Sequence, residues 1–221
     1  MEKATQQYEA NIAQIKDYLL GRGIDGATAK RYRLGYVAEP VVGHEKYRNR
    51  LAIPYVTPSG VVDIRFRCVQ NHSCKEAGCA KYLTQPGHKQ RIYGTTAVMS
   101  ADDTIAITEG ELDAVILNKI GIPAVGIAGS KAWNTGYYPR IFADFTNVII
   151  FGDGDEAGRD FAEAVARDLE DALIVDMPTG FDVTDLYLAQ GADELYIRAG
   201  LRERTVATAP VTADVLVEEL I

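Results

Sequence analysis

The sequence predicts an α/β protein: a parallel four-stranded sheet with helices on both faces, preceded by a smaller basic α+β subdomain. Three observations predict it. From about residue 102, short apolar segments alternate with helix-length stretches, the texture of a sheet whose strands are buried on both faces. Before that point, LAIPYV (51–56) and VVDIRFRCV (61–69) flank Thr57-Pro58-Ser59-Gly60, the turn chemistry of an antiparallel hairpin. Charge also divides there: residues 1–100 hold 15 Lys+Arg against 8 Asp+Glu, whereas the remainder holds 8 against 23.

Taken in order, Ile12, Ile15, Leu19 and Leu20 recur near a 3.6-residue period and predict a helix over 9–21, stopped by Gly21 and Gly23. A short helix over 26–33 follows, and then the hairpin, with Arg65 and Arg67 on one face of its second strand. The stretch 70–94 reads as an irregular functional loop. Strands are predicted at 104–108, 123–127, 147–151 and 172–176, with helices at 110–120, 137–142 and 156–171 between them. The last of these places Ala157, Phe161, Val165 and Leu169 four apart on one face. Two helices, 183–189 and 192–199, come after a Gly180-Phe181-Asp182 turn. The expected division is a basic subdomain over 1–100, an acidic catalytic domain over 101–200 and a tail over 201–221, whose apolar end Val215 to Ile221 is either disordered or a docking segment.

With 47% apolar and 24% charged residues in 221, the chain can bury a proper core, which excludes disorder, collagen and coiled coil. No apolar run approaches the roughly 18 to 20 residues that cross a bilayer, and the N-terminus lacks the order of a secretion signal. No membrane partner is expected, and the expected location is cytoplasmic. Three cysteines bunched within twelve residues do not form a disulfide framework and fit a reducing compartment.

The acids of the second half fall just beyond the carboxyl ends of the predicted strands, where such sheets bind ligands. Glu109 ends the first strand. Asp153 and Asp155 follow the third, two apart in D-G-D and therefore able to point to one side. Asp182 and Asp185 follow the fourth, and Asp113 lies one helical turn after Glu109. Converging carboxylates repel one another unless a cation joins them, and oxygen-only donors favour Mg²⁺ or Mn²⁺ over zinc. A cluster of this size suits two ions about 3.5 to 4 Å apart, the clamp used for displacement at phosphorus. An aspartyl-phosphate phosphatase also uses D-x-D, but its nucleophile follows the first strand, which here ends in Glu109.

These motifs resemble the catalytic core of DnaG-type primases, with features of phage and mitochondrial primase-helicases. ITEGELDAV (107–115), FGDGDEAGRDFA (151–162) and GFDVTDLYLAQG (180–191) are similar, in order and spacing, to the three acidic motifs of the Toprim domain, a Rossmann-like fold shared by primases and topoisomerases. IKDYLLGRGIDGATAKRYRLGYV (15–37), YRNRLAIPYVTPSGVVDIRFR (47–67) and AKYLTQPGHKQRIYG (80–94) resemble the start, the basic hairpin and the Lys-Tyr-Leu segment of the primase core. The resemblance covers about residues 12–200. It implies a DNA-directed RNA polymerase of primase type, in which Glu109, Asp153 and Asp155 hold the metals with Asp113, Asp182 and Asp185 assisting. It implies single-stranded DNA and ribonucleoside triphosphates as partners, in a bacterial or phage-infected cell. Arg48, Arg50, Arg65, Arg67, Lys81 and Arg91 are the candidates for template and triphosphate, with Lys81 also counted as catalytic and Arg50, Arg67 and Lys81 ranked first.

The family's N-terminal zinc ribbon and helicase-binding domain are not recognised in this sequence, so a separate zinc-ribbon protein and a replicative helicase are expected partners. Cys68, His72, Cys74 and Cys79 form C-x3-H-x-C-x4-C, four zinc-ligand types at a spacing unlike a common finger, with a loop of free thiols as the competing expectation. Gly126 and Gly129 are expected to let the backbone approach the acidic site. Ser130 or Lys131 could then contact phosphate, and Trp133, Tyr137 and Tyr138 either stack on bases or pack in the core. Two rival functions stay open: a Toprim-type metal-dependent nuclease, and a non-catalytic replication module that binds helicase or single-stranded DNA. A topoisomerase is disfavoured, since nothing supplies gate domains or a positioned tyrosine.

Overall fold

The computed structural model describes residues 1–129 and 131–202. The expectations for Ser130 and for the tail, including Val215 to Ile221, lie outside the described residues.

The chain opens with α1 (Glu2–Glu9), a 3-10 turn (Ile12–Ile15) and α2 (Lys16–Leu20), where apolar spacing predicts one helix over 9–21. The break has a packing cause. Ala4 and Tyr8 of α1 bury in one apolar cluster with Phe66, whereas Ile15 and Leu19 bury in another, and one straight helix cannot serve both. The rest of α1 is polar, so it carries little periodic signal. Asp25 then caps α3 (Gly26–Arg31), its carboxylate accepting from the Thr28 amide at 2.8 Å.

The predicted hairpin forms β2 (Arg50–Thr57) and β3 (Gly60–Cys68), pairing Arg50 with Cys68 and Leu51 with Arg67. Short strands β1 (Gly35–Tyr36) and β4 (Tyr82–Leu83) extend it to an antiparallel sheet in the order β1-β2-β3-β4. Next come β5 (Ile92–Tyr93) and α4 (Thr95–Ser100). The stretch 70–94 is therefore not wholly irregular; strands of two residues are too short to show alternation in the sequence.

The second half alternates β6 (Thr104–Thr108), α5 (Glu111–Lys119), β7 (Ala124–Ile127), α6 (Pro139–Phe142), β8 (Asn147–Phe151), α7 (Glu156–Asp168), β9 (Leu173–Ile174) and α8 (Val183–Arg198). Gly191, at φ 79°, kinks α8 into the two helices the sequence predicts. The four predicted strands are parallel in the order β7-β6-β8-β9, and β5 adds a fifth, antiparallel edge beside β7. Alternate residues serve opposite faces: Ala106, Ile149 and Phe151 face one cluster, while Ile105, Ile107 and Ile150 face another with Phe161 and Val165. The first of these clusters also takes in Ile24, Leu51 and Ile53, so the basic half shares an apolar core with Leu112, Ile116 and Leu117 of α5. Lys119 Nζ ties the same seam, donating to Gly23 O at 2.6 Å and pairing with Asp25 at 3.1 Å. No described helix is long and apolar enough to cross a membrane.

Candidate metal centre and basic cavity

The carboxyl ends of the parallel strands gather the predicted acids. Glu109 follows β6 directly and is half-buried, and its Oε2 is buried without a hydrogen-bond partner among the described residues. Asp113, in the first turn of α5, is held from across the fold: its Oδ1 accepts from the Thr184 amide at 3.1 Å and the Thr184 hydroxyl at 3.0 Å. Asp182 is brought to Asp153 by a backbone clamp. Gly154 donates to Phe181 O and accepts from the Gly180 amide, both at 2.8 Å. A Cβ on Gly154 would lie 2.0 Å from Pro178 O, so only glycine permits this approach.

Burial and mutual repulsion raise the proton affinity of this group. Asp153 is pushed up to about 7, first by burial and then by Glu109, Asp182 and Asp155. Asp182 is pushed up to about 6, chiefly by burial and by Asp113. Glu109 and Asp113 are raised for the same reasons, with Asp155 acting on Glu109 and Asp153 on Asp113. Asp155 is exposed and caps α7, its Oδ1 accepting from the Gly158 amide at 2.8 Å. Asp185 is likewise exposed and closes a capping box with Asp182. These two predicted ligands thus each have a local backbone role as well. The donor set is oxygen only and crowded, and a hard divalent cation would relieve its repulsion.

A cavity of about 510 Å³ beside the Cys68, His72, Cys74 and Cys79 loop is lined by Tyr18 and by the cations Arg22, Arg67, Lys75 and Lys81, three of which also act on the acids. Lys81 opposes the upward shifts of Glu109 and Asp153, and Arg67 does so for Asp113. Arg22 lies 3.8 Å from Asp182. Arg67 is buried and hydrogen-bonds the Tyr82 hydroxyl, over whose ring both it and Arg65 lie, as their shared strand face requires.

The other predicted cations are engaged elsewhere. Arg65 forms an ion pair at 2.5 Å with Glu111, a carboxylate 1% exposed that also accepts from the Tyr55 hydroxyl at 2.8 Å. Arg50 donates to Ala80 O at 2.8 Å, bracing the loop that leads to Lys81. Arg48 holds Ala38 O and Glu39 on the surface, and Arg91 lies 3.8 Å from Asp63. Cys68, His72, Cys74 and Cys79 do come together, their ligand atoms all within 4.8 Å of one another. Trp133 donates to Asp168 at 2.7 Å and packs on Tyr138 and Phe142, a structural placement.

Sequence reasoning missed Tyr18, Arg22, Glu111 and Thr184. Arg22 had a signal, an arginine between two glycines in a segment read as a helix stop and as the start of the primase core. Glu111 and Thr184 had none, because their partners lie 46 and 71 residues away in sequence.

Residues 106–187 match the family model described as Toprim-like. The chain is 41% identical over 157 residues to the Gene 57 protein of Mycobacterium phage D29, a match covering 69% of this chain and 99% of that protein. It is 28% identical over 233 residues to the DNA primase of Legionella pneumophila, covering 87% of this chain and 39% of the primase. Among solved structures, the zinc-binding and RNA polymerase domains of the Aquifex aeolicus primase superpose with a TM-score of 0.73 at 21% identity, over 90% of this chain and 59% of that one. The chain therefore spans well under half the length of the Legionella primase. A Toprim half, a basic half folded as in primase cores and a phage relative matched almost end to end leave one assignment: the chain belongs to the DnaG-type primase catalytic cores, in a phage-type form.

Proposed function

We propose that the chain synthesises short RNA primers on single-stranded DNA from ribonucleoside triphosphates. The observation that carries this reading is that Arg22, Arg67 and Lys81, which line one cavity, lie near enough to act on the carboxylates of Glu109, Asp113, Asp153 and Asp182. In primer synthesis a 3′-hydroxyl oxygen bonds to the α-phosphorus of the next nucleotide, the bond to pyrophosphate breaks, and the hydroxyl proton leaves. The carboxylates would hold two Mg²⁺ or Mn²⁺ ions, with Asp155 and Asp185 completing the set; such ions activate the hydroxyl and stabilise the pyrophosphate.

The chain's own residues do the rest. Thr184 fixes Asp113, and the Gly154 clamp fixes the distance between the Asp153 and Asp182 segments. Arg67, oriented by Tyr82, offers a guanidinium fork to triphosphate oxygens, and exposed Lys81 a point charge. Arg50 serves by bracing the Lys81 loop, and Arg48, Arg65 and Arg91 serve the fold through Glu39, Glu111 and Asp63. In functional terms residues 1–100 carry template and triphosphate, 101–200 carry the metals, and 201–221 form a tail. A replicative helicase is a partner this reading calls for, in the cytoplasm of a bacterial or phage-infected cell.

The test is incubation of the purified chain with single-stranded DNA, labelled ribonucleotides and Mg²⁺ or Mn²⁺, beside Asp153→Ala. Short RNA made by the wild type and lost in the variant is the expected result. DNA cleavage without triphosphates would replace this reading with the nuclease one.

A further inference from the structure

The chain leaves β3 at Cys68 and reaches β4 by way of Lys81. Across that neck the Cys68 amide donates to Lys81 O at 2.9 Å. Between them, no residue from 70 to 80 is buried, so the loop has no apolar core of its own. It is nonetheless compact, with Ala77 N bonded to Ser73 O at 2.9 Å and Cys79 N to Cys74 O at 3.0 Å. These turns bring His72, Cys74 and Cys79 back to Cys68. Cys68 Sγ lies 3.6 Å from His72 Nε2 and 3.9 Å from Cys79 Sγ, and His72 Nε2 lies 3.0 Å from Cys79 Sγ.

Bonds of about 2.3 Å to sulfur and about 2.1 Å to nitrogen, at tetrahedral angles, separate ligand atoms by about 3.6 to 3.8 Å. The two separations from Cys68 come close to that geometry, His72 Nε2 and Cys79 Sγ stand nearer to each other than it requires, and all four ligand atoms lie within 4.8 Å of one another, whereas a disulfide needs sulfurs about 2.0 Å apart. Three thiolates and an imidazole form a soft donor set that selects zinc over Mg²⁺, in contrast to the all-oxygen cluster nearby.

We propose that Cys68, His72, Cys74 and Cys79 bind zinc as a closed structural site that clamps the loop beside Lys81. Zinc here acts in place of a hydrophobic core, ordering a short polar loop that cannot bury enough surface to order itself. Because Cys68 and Cys79 bracket the neck, the clamp holds the backbone on which Lys81 and the Arg50 contact to Ala80 depend. Only this consequence for Lys81 rests on the primer-synthesis reading; zinc binding does not.

The experiment is elemental analysis of the chain purified without chelator, with Cys74→Ser and His72→Cys alongside. About one equivalent of zinc is expected in the wild type and in His72→Cys, which keeps four ligands, and its loss in Cys74→Ser. A Mg²⁺-induced rise in melting temperature in Cys74→Ser shows that the Toprim half of the variant is folded. Limited trypsin digestion reads the clamp itself: stripping zinc should speed cleavage after Lys75, which stands in the loop. Zinc below roughly a tenth of an equivalent in the wild type, or zinc content unchanged by Cys74→Ser, would overturn the site. Equal cleavage at Lys75 with and without zinc would overturn the clamp.

Discussion

Asp153 shares a half-buried place with Glu109 and Asp182, beside exposed Asp155, and burial and crowding hold its carboxyl at about 7 against an ordinary 3.8. An acid raised in this way binds protons better in the folded chain than in the unfolded one. Its ionisation therefore weakens the fold progressively as pH rises from about 4 to about 7. Asp153→Asn should raise the melting temperature of chelator-treated protein at pH 7 by about 2–4 °C, the shift for about 1 kcal/mol after solvent screening. The gain should shrink toward pH 4, and a melting temperature lowered at pH 7 would count against crowding. Arg65 makes the opposite case. Removing it as Arg65→Ala leaves Glu111 charged and buried with only Tyr55 as partner, at a cost of about 3 kcal/mol in denaturant unfolding. Triphosphate affinity of the folded variant should stay near wild type; a large loss would restore Arg65 to the ligand set. The acids were legible in the sequence because strand ends are. The fate of Arg65 was not, because its partner comes 46 residues later and no local pattern joins them.

Among the elements, β7 and α5 meet most closely at Gly126. A Cβ there would lie 2.8 Å from Gly110 O and 3.1 Å from the Glu111 Cα, both backbone atoms that cannot swing aside. Gly126→Ala should cost about 1–3 kcal/mol of stability. Because the strain falls on the start of α5, where Asp113 sits, it should also diminish the Mg²⁺-induced rise in melting temperature. Unchanged melting with and without Mg²⁺ would show that β7 yields freely. Elements whose residues face a core on both sides were read closely: β6 and β8 occupy the predicted 104–108 and 147–151. Elements set by long-range pairing were not. β4 and β5 exist because neighbours offer them an edge, and α1 parts from α2 because two cores compete for one stretch of chain.

For the whole molecule, the net charge of −8 conceals the useful asymmetry, a basic first half set against an acidic second one. The shared core and the Lys119 tie hold the halves together, and Arg22, Arg67 and Lys81 act on the carboxylates from beside them. Opposed charge of this kind suits a ligand that is itself a polyanion carrying divalent cations. On this reading the cations and the carboxylates hold the same triphosphate. Equilibrium binding of a ribonucleoside triphosphate with Mg²⁺ tests it most directly, measured for wild type, Lys81→Ala, Asp153→Asn and the double variant. Each single change should weaken binding at least about tenfold, or 1.4 kcal/mol, and the double change should cost less than their sum. Wild-type affinity in either single variant, or strictly additive losses, would contradict a single shared site.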